Sequence, residues 1–215
     1  MENKIVKTFQ VTVTENHEKG TIAERWEDNL GKRYCPYGAA ITVWHMSTKK
    51  ILAQHWHDSD GELHREGDLP ARFAKDPYTD IVTLEEYFVH GQSHRELLGA
   101  PSHIERDPVT GHTTNERYKR DGIYTRDFGM PVEVDFNPHT GLSICETYLH
   151  PKSNKLFIIE KDPITGQVIR GKTSLKYVYN QVRPFSASTF TVQCLESGKV
   201  EGKEFFPSVG HSLNP

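Results

Sequence analysis

Apolar and polar positions alternate with a period of two in short bursts along this chain, the pattern of half-buried β-strands. Phe9, Val11 and Val13 share one face of an alternating run over residues 4–14. Further β-rich runs cover Ala71–Ala74, Val82–Val89, Thr113–Tyr118 and Val132–Phe136. Between such runs stand Asx-Pro-x-Thr-Gly segments at Asp107–Gly111, Asn137–Gly141 and Asp162–Gly166, and Asp76–Asp80 is close to them. Proline presets φ for a turn, the Asx side chain caps it, and glycine takes the φ > 0 position that closes it. Gly111, Gly141 and Gly166 are therefore assigned to hairpin turns, and each run–turn–run unit to a β-hairpin.

The hairpins repeat. Aromatic anchors fall at Trp26, Trp56, Tyr87, Tyr118 and Tyr148, in steps of 30, 31, 31 and 30 residues. Two positions before them stand Glu24, Gln54, Glu85, Glu116 and Glu146, and Gly31, Gly61, Gly91 and Gly122 follow the first four. Gly-x-x-His-Arg appears at Gly61–Arg65 and Gly91–Arg95, and Gly122–Arg126 keeps the arginine with Thr125 in the histidine place. Pro70, Pro101 and Pro131 close these loops. A lone hairpin cannot bury a face, so neighbouring units must stack. Residues two apart on a strand share a face. The anchors therefore form one column, the carboxylates a second, and Arg65, Arg95 and Arg126 a third, in the connecting loops.

This reading divides the chain into an N-terminal capping strand (1–22), hairpin repeats of about 31 residues (23–172) and C-terminal strands with a tail (173–215). The last part holds two expected strands, Leu175–Val182 and Thr189–Leu195. The fold class is all-β: an elongated antiparallel array of stacked hairpins with terminal capping strands.

Composition narrows the function. The formal net charge is -3. That argues against sequence-independent nucleic-acid binding, which needs a basic face. There is no 18-residue apolar run, so no membrane span is expected, and the start lacks the apolar core of a secretory signal. The three cysteines, Cys35, Cys145 and Cys194, match no zinc spacing and are expected to be reduced thiols of a cytoplasmic protein.

The anchor, glycine, His-Arg and proline columns resemble the MORN-type repeats, in particular a bacterial and viral variant reading aromatic-x-x-x-x-Gly-x-x-His-Arg followed by Gly-Pro-Ala. Trp56–Ala71 and Tyr87–Pro101 carry the resemblance best, and it extends over roughly residues 23–170. It implies a β-hairpin scaffold for protein partners. Some MORN-type proteins have been discussed as lipid-headgroup binders, and a bacterial group is labelled as antitoxins.

Three groups of side chains are candidates for chemistry. His64, Arg65, His94, Arg95 and Arg126 offer cations to a phosphate-rich or acidic ligand, or else hold their loops together, the arginines turning inward to carbonyls or to the carboxylate column. His55 and His57, with His45 and His64 nearby, offer imidazoles but no third-ligand pattern. Glu85, Glu116 and Glu146 form a ladder of one carboxylate per repeat rather than a catalytic dyad, and no nucleophile elbow, phosphate loop or His-Glu-x-x-His occurs. The expectation is a non-enzymatic scaffold without cofactor or metal that binds a protein partner such as a toxin, effector or defence enzyme. The alternatives are a binder of phosphorylated small molecules or lipid headgroups, and a structural component of a larger assembly. An open sheet edge also permits pairing with a second copy.

Overall fold

The computed structural model describes residues 8–127, 129–150 and 155–177. Their regular structure is entirely β: β1 (Phe9–Asn16), β2 (Thr21–Asp28), β3 (Ile41–His45), β4 (Ile51–His55), β5 (Arg72–Lys75), β6 (Val82–Glu86), β7 (Phe88–Val89), β8 (Gln92–Ser93), β9 (His103–Arg106), β10 (Thr113–Arg117), β11 (Lys119–Arg120), β12 (Ile123–Tyr124), β13 (Glu133–Phe136), β14 (Ser143–Leu149), β15 (Lys155–Lys161) and β16 (Val168–Tyr177). Twelve of these form one antiparallel sheet in chain order, while β7–β8 and β11–β12 are small hairpins set into the connections. The expected array of stacked hairpins is thus a single long sheet. At about 4.8 Å per strand it spans roughly 50 Å. β16 runs unbroken across residue 173 to Tyr177. The remainder of the expected strand Leu175–Val182, and all of Thr189–Leu195, lie outside the described residues.

Up-and-down order sends alternate connections to opposite edges of the sheet. The tight turns, among them 76–80, 107–111, 137–141 and 162–166, lie along one edge. The long connections 29–40, 56–71, 87–102 and 118–132 lie along the other.

The tight turns have the chemistry their sequence predicts. Asp107 Oδ1 accepts from the N–H groups of Val109 (3.0 Å) and Thr110 (2.7 Å). Gly111 N–H donates back to Asp107 O at 2.9 Å, and Gly111 has φ +73°. Gly141 and Gly166 match it at +70° and +71°, and Asp80 takes the same place at 63° in the first turn of the series. Successive turns are also linked. The hydroxyls of Thr79, Thr110 and Thr140 lie 2.8, 3.1 and 3.1 Å from the carbonyls of Pro108, Pro138 and Pro163, each in the following turn. Thr79 and Thr110 share their single proton with their own aspartate, at 3.1 and 3.0 Å. Threonine in the motif therefore joins one unit to the next.

Register places the anchors and carboxylates on one face. Directly paired residues run Glu24, Thr42, Gln54, Phe73, Glu85, Ile104, Glu116, Val134 and Glu146 from β2 to β14. Successive anchors therefore stand two strands apart, about 9.6 Å, beyond direct ring contact. The column is interleaved rather than continuous. Trp26 meets Phe9 and Trp56 meets Phe73, with ring centres 6.4 and 5.8 Å apart. Beside the anchors sit Ala40, Ala71, Ser102 and Val132, all buried, whose carbonyls accept from Trp26, Trp56, Tyr87 and Tyr118 N–H at 2.7–2.9 Å. Small residues alternate with large rings because both cannot fill one row. Tyr87 and Tyr118 are buried; Trp26, Trp56 and Tyr148 are half-buried.

Two outcomes follow for urea unfolding. A Cβ on Gly111 meets only ordinary contact, 3.6 Å from Ile81 Cδ1, so Gly111→Ala should cost about 1 kcal/mol through its left-handed backbone, and Gly111→Asn clearly less. Ala71→Leu should cost about 1–3 kcal/mol by overpacking a fully buried site.

Candidate functional site in the connecting loops

The His-Arg loops are folded back by backbone hydrogen bonds. The N–H groups of His64, His94 and Thr125 donate to the carbonyls of the anchors Trp56, Tyr87 and Tyr118 at 3.0–3.1 Å. This turn carries the next residue over the anchor ring. The guanidinium carbons of Arg65, Arg95 and Arg126 lie 3.5, 3.9 and 3.5 Å from the ring centres of those same anchors. Each arginine also donates Nη1–H to the proline that closes its loop: Pro70 at 3.3 Å, Pro101 at 3.2 Å and Pro131 at 2.8 Å. The arginine column is turned inward, onto π-faces and carbonyls. Arg95 adds an ion pair with Asp68 of the preceding loop at 3.1 Å.

The histidines join one loop to the next. His64 stacks on His90, ring centres 4.3 Å apart and 3° from parallel. His94 Nδ1 lies 2.8 Å from Asp121 Oδ1. Backbone bonds run alongside, from Gly91 N–H to Leu63 O (2.9 Å) and from Gly122 N–H to Ser93 O (3.0 Å). All five candidate binding residues are therefore engaged within the chain.

The carboxylates do not take the arginines of the loops. Glu24, Glu116 and Glu146 accept from the anchor two residues along their own strand: Trp26 Nε1–H at 2.5 Å, Tyr118 O–H at 2.6 Å and Tyr148 O–H at 2.7 Å. Glu85 pairs with Arg106 at 2.6 Å, and Glu146 also with Lys161 at 2.5 Å. Burial pushes the Glu146 carboxyl up, but the Lys161 ammonium and the Tyr148 hydroxyl outweigh it and hold it below its usual value. Burial and the bond to Glu116 raise Tyr118 well above the ordinary tyrosine range.

The opposite face holds a row that the repeat columns do not announce. Arg72 pairs with Glu86; His103 bridges Glu86 (3.1 Å) and Glu105 (2.8 Å); Arg117 pairs with Glu133 (2.9 Å), which also accepts from Tyr124 (2.7 Å). These residues occupy the positions just after or opposite the carboxylate column, so period-two reading from that column would have found them. Burial pushes Glu86 and Glu133 up, yet His103, Arg72, Tyr124 and Arg117 bring both below the usual range. Each charged group in the row has its partner there, which suits it to joining strands.

His55 stands on this face opposite Arg72. Burial first, then the Arg72 charge, lowers its pKa to about 4. Burial lowers His57 as well, and its Nδ1 lies 3.0 Å from Gly61 O. Among the described residues no group of three His, Cys, Asp or Glu side chains is placed to hold a metal ion. No helix among them is long and apolar enough to cross a membrane. No family model, curated protein or solved structure matches this chain.

Two measurements check these assignments. Arg95→Ala should lower stability by about 1–3 kcal/mol, because it leaves the Pro101 carbonyl without its Arg95 donor and Asp68 without its cation. Arg95→Lys should restore only part, since an ammonium cannot lie flat on Tyr87 while serving both acceptors. For His55, the folded pKa lies below the unfolded value of about 6.5. The folded state therefore binds fewer protons, and stability should fall as pH drops from about 6.5 towards 4. Carboxylates with lowered pKa values contribute their loss only further down. His55→Gln should flatten the melting temperature between pH 6.5 and 5, and His55→Gln with His57→Gln should flatten it more.

Proposed function

We propose that this chain is a non-enzymatic scaffold that binds a protein partner. Its most specific form is an immunity, antitoxin or inhibitor protein that covers a toxin, effector or defence enzyme. The supporting observation is a division of labour within each repeat. The recurring residues (anchor, arginine, glycine, threonine, proline) are engaged inside the array, while the third position of the turns, which differs between units, stands outward. The third residue of successive turns is Tyr78, Val109, His139 and Ile164. Tyr78 is 87% exposed, and Val109 and Ile164 are exposed at 79% and 76%. Two strands separate each turn from the next, so these tips form a row at steps of about 9.6 Å. Large side chains exposed in a regular row are suited to a macromolecular contact. The antitoxin form is supported by the MORN-like columns of the sequence. Phosphate capture by the His-Arg loops finds less support, since their guanidinium groups lie on the anchor rings.

Affinity capture from the native host tests the reading. The wild type should retain one protein in near-stoichiometric amount. A Tyr78→Ser, Val109→Ser, Ile164→Ser variant should melt like the parent and lose that protein at least about tenfold. Salt-sensitive binding of phosphate ligands, lost with the arginines and unaccompanied by protein capture, would overturn it.

A further inference from the structure

The inward turn of the arginines changes what the connecting loops show to solvent. Directly after Arg65, Arg95 and Arg126 come Glu66, Glu96 and Asp127, and all three are exposed. The segments 66–70, 96–101 and 127–131 contain no lysine or arginine. A loop that reads as cationic in the sequence is therefore acidic on its outer side.

The same segments carry exposed apolar side chains, as does the preceding connection with Leu30 and Tyr37. Leu98 is 74% exposed, Leu97 57%, and Leu69 and Met130 48% each. The loops are tied into one surface. Asp68 accepts from Arg95 Nε–H and from Leu97 N–H (3.3 Å to Oδ1), and Arg120 Nη2–H donates to Glu96 O at 3.1 Å. Leu69, the Leu97–Leu98 pair and Met130 thus lie in three consecutive loops, at steps of about 9.6 Å, with an acid beside each.

We infer that this edge is a docking surface for a basic amphipathic helix of a partner protein. The inference rests on the scaffold reading and names the chemistry of the partner. Charge selects a cationic ligand, because three exposed carboxylates, Glu66, Glu96 and Asp127, stand beside the apolar groups and outnumber the one guanidinium, Arg120, that reaches them. Spacing selects a helix. Seven helical residues rise about 10.5 Å, so one apolar residue per heptad meets one loop. An extended strand covers the step in about three residues and would turn successive side chains to opposite faces. An anionic membrane surface would meet the acids as like charges.

The test uses the full chain and a synthetic Lys/Leu peptide of about three heptads with leucine at the a and d positions. Controls are a scrambled peptide of the same composition, a Glu/Leu heptad peptide and anionic phospholipid vesicles. The periodic Lys/Leu peptide should bind, more weakly as salt rises, and at least about tenfold better than the scrambled one. Glu66→Lys, Glu96→Lys, Asp127→Lys should shift preference to the Glu/Leu peptide. Leu97→Ser with Leu98→Ser should weaken binding at least about tenfold. These residues are exposed, so melting should stay unchanged. Equal binding of the scrambled peptide, indifference to either set of substitutions, or preference for the vesicles would overturn the inference. If both sets leave the host protein's capture unchanged, the scaffold reading stands and this surface is not its site. If the wild type captures no host protein, the scaffold reading fails separately.

Discussion

Among the described residues no second sheet or helix lies over the aromatic anchors, and at three of them the guanidinium of the following loop covers the ring. Arg65, Arg95 and Arg126 lie over the rings of Trp56, Tyr87 and Tyr118 and hold the closing proline of the same loop. Three conditions meet in that contact. The glycine must turn the chain back, the residue after the turn must be planar and cationic, and the proline must end the loop within reach. The sheet can then extend through these three units without a shared core, since each brings the cover for its own ring.

Cohesion between units comes from polar contacts at both edges. On the turn edge, threonine hydroxyls reach the proline carbonyls of the following turns. On the loop edge, His64 stacks on His90 and His94 meets Asp121. Between them, the row from Arg72 through Glu86 and His103 to Arg117 and Glu133 crosses β5, β6, β9, β10 and β13. The exposed pairs each contribute modestly, and the buried His103–Glu86 pair must first offset its desolvation. Their effect lies in number and register, because a one-residue slip would break every pair in a row at once.

The consequence is a molecule whose repeated chemistry is internal. The His-Arg motif draws the eye as a ligand site, yet its cations are engaged. Outward, among other exposed side chains, stand a row of varied residues on the turn edge and an acidic, leucine-bearing strip on the loop edge.

Much of the fold was legible in the sequence because it rests on local rules. Asx-Pro-x-Thr-Gly specifies a turn through φ preferences and one side-chain acceptor, and Gly111, Gly141 and Gly166 adopt it. Period-two spacing placed Glu116 and Tyr118 on one face, and they share a hydrogen bond. Thirty-one-residue spacing set the stacking. What local rules could not supply was the direction of a side chain between units. Arg95 had carbonyls, carboxylates and solvent within reach, and only the neighbouring loop, with Asp68 and the Tyr87 ring in place, settled it. Of the row through His103, period-two spacing offers the shared face, but the pairings come from strands that become adjacent only when the sheet assembles. Turn chemistry and periodicity are properties of a few consecutive residues and can be read from them. The choice among several partners depends on which one is desolvated and fixed nearby, and that is decided by the assembled sheet.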